Sequence, residues 1–265
     1  MMLRVWIAAL ALVSACVSGP LSAGPKAPIS ESADRTGIHK QWWTYHEYGG
    51  HGPSRWALVN PEEFGACGSG KAQSPIHITH FHDGNLGALS FDYWQAAVSL
   101  RNTGHLLRVE FPKGNTMTLD GTTYDLVEIN FHHRAEHVIR GKRAGMEAQL
   151  VHQDASGNLS VVSVMFNYGA QHPILHDLGS RWPDHKGAVY WLPGRPHPFE
   201  LLPEDKSYIT YTGSLTTPPC TEGVKWIIMK QQLEMSVGQV WLMEEALDGH
   251  NHRPLQARNR REAYQ

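Results

Sequence analysis

This chain has little of several features that commonly carry function. It holds three cysteines in 265 residues and has no GxGxxG or P-loop motif, no heptad pattern and no internal repeat. Its 23 basic and 25 acidic side chains leave a formal net charge of -2. Nucleic acids and anionic membrane surfaces are recognised through concentrated positive charge, which this balance does not supply. We therefore expect no nucleic-acid partner, and any ligand must be recognised at a local site.

The composition and pattern predict one mainly β domain over residues 39–265. A hydrophobic content of 41% is enough to bury a full core. Short β-like runs alternate with turn residues, and the chain contains 25 glycines and 16 prolines. Helical signals are few, the best covering residues 238–250. These features favour a large antiparallel or mixed sheet wrapped by loops, with short peripheral helices.

The N-terminus predicts export. Residues 1–16 contain one basic residue and an apolar run too short to span a bilayer, followed by small residues, which is the layout of a secretory signal. Their end resembles a bacterial lipobox, in which Cys16 is lipidated; cleavage after Ala15 or Ala23 with Cys16 discarded is the alternative. Residues 17–38 suit a flexible tether. We expect a protein of the periplasm or cell envelope, held at the membrane only through this lipid anchor.

Export changes how the other two cysteines are interpreted. In an oxidising compartment, Cys67 and Cys220 are expected to form a disulfide in preference to two reactive thiols or a metal clip. A bridge over about 150 residues would constrain the unfolded chain by about 3 to 5 kcal/mol.

Two predicted strands carry an unusual row of polar side chains. Residues alternate between the faces of a strand, so the first strand has one apolar core face and one polar face turned toward a cavity or solvent. On the second strand, Glu147 and Gln149 share a face with Val151. A His-x-His pair on one strand with a third histidine on the next would make a tetrahedral zinc site. The predicted polar face of the first strand contains Leu126, Glu128, Asn130 and His132, and the opposite face contains Val127, Ile129, Phe131 and His133.

At these residues the chain resembles the alpha-class carbonic anhydrases, over residues 42–260. The resemblance implies a central, mostly antiparallel twisted sheet of about ten strands, a conical cleft, a zinc cofactor, carbon dioxide and bicarbonate as substrates, and the disulfide between Cys67 and Cys220. The motifs that carry it are GPSRW (52–56), QSPIHI (73–78), NTGH (102–105), HHRAEH (132–137), MEAQLVHQD (146–154), YTGSLTTPPCTEGVKW (211–226) and NHRPLQ (251–256).

The zinc ligands of the family are where this chain departs from it. Matched residue by residue, the ligand positions hold Asn130, His132 and Gln149, so His132 is the sole retained histidine. A shifted register does not restore the site, because His133 and His152 point to the opposite faces of their strands. Carboxamide oxygens are weak zinc ligands. We therefore expect zinc to be absent or weakly bound.

Other residues of the family's site are matched. The resemblance implies that Thr216 donates to Glu136, with the Thr217 backbone beside it, and that His105 occupies the proton-shuttle position. Tyr48 is matched to a tyrosine at the cleft floor. Glu128 and Glu147 are expected to orient the ligand positions, and the apolar wall for carbon dioxide is matched by Val151, Val161, Leu215, Val224 and Trp226.

Two functional hypotheses follow. The first is an exported binding module with little or no hydratase activity and an unknown ligand. The second is an active carbonic anhydrase that hydrates carbon dioxide with a rearranged metal site. A mixed site built from His132, His133 and His137 with nearby glutamates is an alternative to zinc in the family's position. The remaining histidines are interpreted as surface or loop residues without a metal, among them His39, His46, His51, His77, His80 and His82.

Overall fold

The computed structural model describes residues 42–192, 196–247 and 249–265. The predicted signal segment, Cys16, the tether and His39 lie outside the described residues. Within the described ranges, every helix is too short or too polar to cross a membrane.

The described residues form mostly strands. The strands are β1 (His77–Ile78), β2 (Leu89–Asp92), β3 (Ser99–Asn102), β4 (Leu107–Glu110), β5 (Thr116–Leu119), β6 (Thr122–His133), β7 (Val138–Ile139), β8 (Met146–Asp154), β9 (Leu159–Tyr168), β10 (Val189–Trp191), β11 (Tyr208–Ser214), β12 (Glu222–Met229) and β13 (Leu233–Met235). The α-helices are α1 (Trp56–Val59), α2 (Pro61–Phe64), α3 (Ala66–Ser69), α4 (Pro173–Gly179) and α5 (Val237–Leu247), with a 3-10 helix at Pro198–Leu201.

One large sheet organises these strands. It has eleven strands, with the central order β10-β3-β4-β6-β8-β9-β12-β11; β5 also pairs with β6, β2 with β5, and β13 with β9. All pairings are antiparallel except those of β9 with β12 and β13, and β1 and β7 form a separate parallel pair. The prediction of a mainly β domain with a mostly antiparallel sheet and short helices is confirmed.

The two faces of the sheet bury separate apolar clusters. Ile129, Phe131 and Leu150 lie in the larger cluster, which α4 and α5 cover. Val151 and Trp226 belong to a smaller cluster on the opposite face. Full burial of each large apolar side chain stabilises the fold by about 1.5 to 3 kcal/mol, so both faces are firmly held. The central strands are rich in the β-branched and aromatic residues that suit such a sheet.

An irregularity in β6 corrects one sequence-based assignment. Leu126 pairs with His152, whereas Glu128 pairs with Val151, so the register shifts at Val127. An extra residue in a strand reverses the face of everything before it. Leu126 therefore lies in the larger apolar cluster with Ile129, not beside Glu128 on the polar face as predicted. From Glu128 onward the predicted alternation holds.

A third cluster joins the N-terminal segment to the disulfide. Cys67 and Cys220 are bonded, as predicted, across a sequence separation of 153 residues. Trp43, Tyr45 and Trp56 pack beside them. The bridge ties α3 to the loop that follows β11, and this loop contributes one rim of the cleft described below.

Candidate functional site

Asn130, His132 and Gln149 lie together on the polar face of β6 and β8. Asn130 pairs directly with Gln149, and His132 with Glu147. All three predicted ligand positions are buried and line one cleft, with a cavity volume of about 60 Å³. That volume suits a few water molecules or a very small ligand. The rest of the lining is Trp43, Thr103, His105, Leu106, Arg108, Glu128, Val151, Val161, Leu215, Thr216, Thr217, Pro218 and Trp226.

Asn130 is held between a glutamate and an arginine. Its Nδ2 donates to Glu128 Oε1 at 2.8 Å, and its Oδ1 accepts from Arg108 Nε at 3.2 Å. Arg108 Nε also lies 3.0 Å from Glu128 Oε2, with both side chains largely buried. The three groups satisfy one another, and they place a permanent positive charge beside the Asn130 oxygen.

Gln149 is held by two buried carboxylates. Its Nε2 donates to Glu136 Oε2 at 2.7 Å and to Glu147 Oε1 at 3.1 Å. An amide nitrogen that donates in this way has no lone pair for a metal. The Gln149 oxygen accepts a long hydrogen bond of 3.5 Å from Thr216 Oγ1.

Glu147 is the most connected carboxylate beneath the cleft. It accepts from the backbone N–H groups of Glu136 and His137 at 2.8 and 2.9 Å, and from Ser163 Oγ at 2.9 Å. His137 Nδ1 lies 2.9 Å away. Burial alone would raise the pKa of Glu147, but the His137 charge and these hydrogen bonds outweigh it and lower the pKa to about 2. Glu147 is therefore ionised and fixed, as expected for a residue that orients its neighbour.

His132 supplies the cleft's single imidazole at the three matched positions. Its Nδ1 lies 2.9 Å from the Asn251 carbonyl oxygen and 3.5 Å from Glu136 Oε1. Because a carbonyl oxygen can only accept, Nδ1 carries a proton. In the neutral ring this leaves the lone pair on Nε2.

The predicted bond from Thr216 to Glu136 is replaced by another arrangement. Both oxygens of Glu136 are occupied, Oε1 by the Arg253 backbone N–H at 2.7 Å and Oε2 by Gln149. Thr216 instead donates to Gln149. The Gln149 amide thus lies between the Thr216 hydroxyl and the Glu136 carboxylate. The predicted direct contact of Thr216 with Glu136 was wrong.

The apolar wall is assembled across three strands. Val151 pairs with Val161, and Val161 with Trp226, so their side chains lie side by side on β8, β9 and β12. These residues and Leu215 line the cleft as predicted. Val224 is not part of the lining: it is fully buried in the same apolar cluster as Val151, Val161 and Trp226.

His105 lines the cleft but is immobilised. Its Nε2 donates to the Trp43 carbonyl oxygen at 2.6 Å, and its ring stacks on Trp43 with centroids 3.8 Å apart. Burial lowers its pKa to about 4, against a small opposing effect of the Trp43 bond, and Lys186 lowers it further. A proton shuttle works best with a pKa near the operating pH. A pKa of about 4 lies well below neutral pH, and the contacts with Trp43 restrict the ring.

Tyr48 is not at the cleft floor. Its side chain is 93% exposed, whereas Tyr45, three residues earlier, is buried against Trp56. The turn at residues 47–50 projects Tyr48 outward. The match of Tyr48 to a cleft tyrosine was wrong.

Sequence reasoning missed Arg108. It lies on β4, and β4 pairs with β6 so that Arg108 is the direct partner of Asn130. The alternation of β4 places Leu107 and Val109 in the core, so an outward Arg108 was readable. The contact of Arg108 with Asn130 depends on the pairing of β4 with β6. The sequence alone does not predict which strand pairs with β6. Trp43, Thr103, Leu106 and Pro218 were missed for the same reason.

The donor atoms near the cleft do not assemble a mixed metal site. His133 points away, with Nδ1 2.9 Å from Glu244 Oε1, and His137 is held between Glu147 and Tyr211. His152 is buried on the core face and contacts the Tyr93 hydroxyl. Among the described residues, three donors of the histidine, cysteine and carboxylate type converge only at His80, His82 and Glu262, on the surface.

The ligand positions of the cleft differ from a zinc centre in their chemistry. Zinc prefers imidazole or thiolate ligands in a tetrahedral set with a supporting hydrogen-bond network. Here one imidazole stands beside two carboxamides whose N–H groups face glutamates, and Arg108 brings a positive charge to the Asn130 oxygen. This donor set does not fit a three-histidine zinc centre.

The sequence and the fold are similar to those of known proteins. Residues 51–265 match the family model described as eukaryotic-type carbonic anhydrase. The chain therefore belongs to the alpha carbonic anhydrase family, which is zinc-dependent and acts on carbon dioxide and bicarbonate.

Its relatives include bacterial carbonic anhydrases and dioscorins. It is 36% identical over 235 residues to a carbonic anhydrase from Neisseria gonorrhoeae, covering 87% of this chain and 90% of that protein. The solved alpha-carbonic anhydrase from Thermovibrio ammonificans, in complex with sulfanilamide, is 35% identical with a TM-score of 0.82 over 86% of this chain and 100% of that one. A dioscorin complexed with ascorbate is 33% identical, with a TM-score of 0.78 over 84% and 97%.

Proposed function

We propose that this protein is a carbonic anhydrase relative whose cleft works as a binding site without catalytic zinc. One observation carries the proposal: Asn130 and Gln149 are already satisfied by Glu128, Arg108, Glu136 and Glu147. Buried polar groups are costly unless they are paired, and here they are paired without any cation.

The electrostatics of the cleft support the same proposal. Glutamates beside the ligand positions would orient imidazoles in a metal site. In this cleft Arg108 instead pairs with Glu128, and the Gln149 amide donates to Glu136 and Glu147. Hydration of carbon dioxide at neutral pH needs a metal that acidifies its bound water, for which carbonic anhydrase is the reference case. His105, with its pKa near 4, does not replace that chemistry.

The bound molecule is expected to be small and polar at one end. The floor offers the Arg108 guanidinium, two amides and the Thr216 hydroxyl, and the wall offers Val151 and Trp226. Such a division orients a ligand by its polar end and holds the rest by apolar contact. That a dioscorin was solved with ascorbate supports small organic acids as ligands on this fold.

Metal content and hydration measured together test the proposal. The purified protein, supplied with zinc during expression and then dialysed, should hold no zinc that depends on His132 and should show no hydration above buffer in a stopped-flow assay. One equivalent of zinc lost in His132→Ala, together with sulfonamide-sensitive hydration, would overturn it and favour the active enzyme with a rearranged site.

Export and lipid anchoring through Cys16 form the second part of the proposal. The support is the signal-like segment of residues 1–16 and the small, polar composition of residues 17–38. In a bacterial host, the protein should fractionate with membranes and carry a lipid at Cys16 by mass spectrometry. A soluble product beginning after Ala15 or Ala23 would instead establish plain secretion.

A further inference from the structure

The surface carries a group of metal-binding side chains that the cleft does not use. His80 and His82 follow β1, and Glu262 comes from the C-terminal segment, 180 residues beyond His82. One ligand atom from each lies within 4.8 Å of the other two. The sequence placed both histidines on the surface, which the structure bears out, but gave no sign of the carboxylate beside them.

We propose that His80, His82 and Glu262 bind a first-row transition cation such as Zn²⁺. Two imidazoles with one carboxylate and an open position form a recognised zinc donor set. Imidazole nitrogens favour zinc or copper over magnesium and calcium, which prefer oxygen. Zinc holds such ligands about 3.3 Å apart. His82 Nε2 lies 2.8 Å from Glu262 Oε2, and all three donor atoms lie within 4.8 Å of one another, so binding needs only small side-chain shifts. All three are exposed and can make these shifts.

The backbone beneath the site is fixed before a metal arrives. His82 N–H donates to the Ala263 carbonyl at 2.9 Å, and Gln265 N–H donates to the His82 carbonyl at 2.9 Å. These two bonds hold the C-terminal segment against His82. Folding has therefore already brought the two segments together, and metal binding does not have to supply that entropy cost.

The second nitrogen of His80 has the support that metal-bound histidines use. Thr79 Oγ1 lies 3.0 Å from His80 Nδ1. A hydrogen bond to the other ring nitrogen fixes the tautomer and orientation of a ligating imidazole. His80 Nε2 is then the donor atom, on the side of Glu262.

Arg258 lies where a cation bound by these side chains would lie. Its Nη2 lies 3.2 Å from Glu262 Oε2, and its Nη1 lies 3.5 Å from His80 Nε2. The guanidinium thus bridges two of the three ligands and must swing aside when a metal binds. The Glu262 side chain is exposed and that of Arg258 is partly exposed. Ion pairs near the surface are weak, so a metal can displace the guanidinium.

Titration of the chelator-treated full chain with Zn²⁺, with Co²⁺ absorption as a report on geometry, tests the site. We expect one equivalent of tetrahedral Co²⁺, with affinity for Zn²⁺ falling at least tenfold in His82→Ala and in Glu262→Gln. The matched control is His185→Ala, which removes an exposed histidine 2.7 Å from Asp184 that has no third ligand. It should bind Zn²⁺ as the wild type does.

A separate variant tests whether Arg258 competes with the metal. Arg258→Gln should bind Zn²⁺ about tenfold more tightly, since the competing cation is gone. Equal affinity in wild type and His82→Ala would show adventitious binding elsewhere and overturn the site. If only Arg258→Gln binds Zn²⁺, the natural protein has no such metal site. If the affinity of Arg258→Gln is unchanged or weaker, Arg258 does not compete with the metal. None of these variants changes His132. Zinc bound in the cleft would therefore still be bound by His82→Ala, and this distinguishes the cleft from the surface site.

Discussion

Arg108 Nε lies 3.2 Å from Asn130 Oδ1 and 3.0 Å from Glu128 Oε2, at the position where the resemblance places the first zinc ligand and its support. A guanidinium is permanently charged and planar, so it can satisfy a carboxylate and an amide oxygen together. The cleft therefore contains a fixed cation of its own.

Replacing Arg108 with methionine should lower the free energy of unfolding by about 3 kcal/mol, because the buried Glu128 loses the guanidinium that balances its charge. The double variant Arg108→Met with Glu128→Met should recover most of that loss. Urea denaturation at pH 7 measures both. If the double variant is as unstable as the sum of the two single ones, the two side chains are not coupled.

Replacing both amides, Asn130→His with Gln149→His, should create zinc binding in the cleft, because Glu128, Glu136 and Glu147 remain to orient new ligands. Adding Arg108→Asn should tighten zinc at least tenfold by removing the nearby positive charge. Zinc content after dialysis, measured in a His82→Ala background, checks both. A double variant that stays metal-free would show that the ligand positions were matched wrongly.

Replacing Glu147 with glutamine should lower the free energy of unfolding at pH 7 by about 3 kcal/mol, because several donors lose a charged acceptor. Its pKa is held at about 2, below the unfolded value. The carboxylate therefore adds stability at neutral pH that is lost as the pH falls from about 4.5 toward 2. Denaturation curves of wild type and variant should converge in acid. The exposed Glu62→Gln is the control and should change stability by less than about 0.5 kcal/mol.

His105 should remain neutral until the pH falls to about 4, since burial lowers its pKa. The unfolded chain binds this proton near pH 6.5, so acidification between about 6.5 and 4 favours unfolding. NMR titration of the His105 ring protons measures the pKa directly. A value near 7 would restore the residue as a candidate proton shuttle and contradict the rigid contact with Trp43.

Replacing Cys67 and Cys220 with serine should lower the free energy of unfolding by about 3 to 5 kcal/mol, because the bridge closes a loop of 153 residues. Thermal denaturation with and without a reductant checks this. The reductant should destabilise the wild type and leave the double variant unchanged.

Local chemistry was enough to identify much of this protein from its sequence. Ordered motifs over residues 42–260 predicted the family and its fold, and strand alternation placed Asn130, His132 and Gln149 on one polar face. The even pair Cys67 and Cys220 predicted the disulfide. The polar face follows from a period of two that a sequence displays directly. The family followed from resemblance to known motifs, and the disulfide from the cysteine count together with the predicted export.

Only the tertiary structure decided which distant groups meet. The bulge at Val127 moved Leu126 into the core, the pairing of β4 with β6 set Arg108 against Asn130, and the returning C-terminus brought Glu262 to His80 and His82. Strand order, bulges and chain return are set by the packing of the whole core and not by any short segment. The sequence by itself thus determined the family and the polar face, and the folded chain determined the charges that surround them.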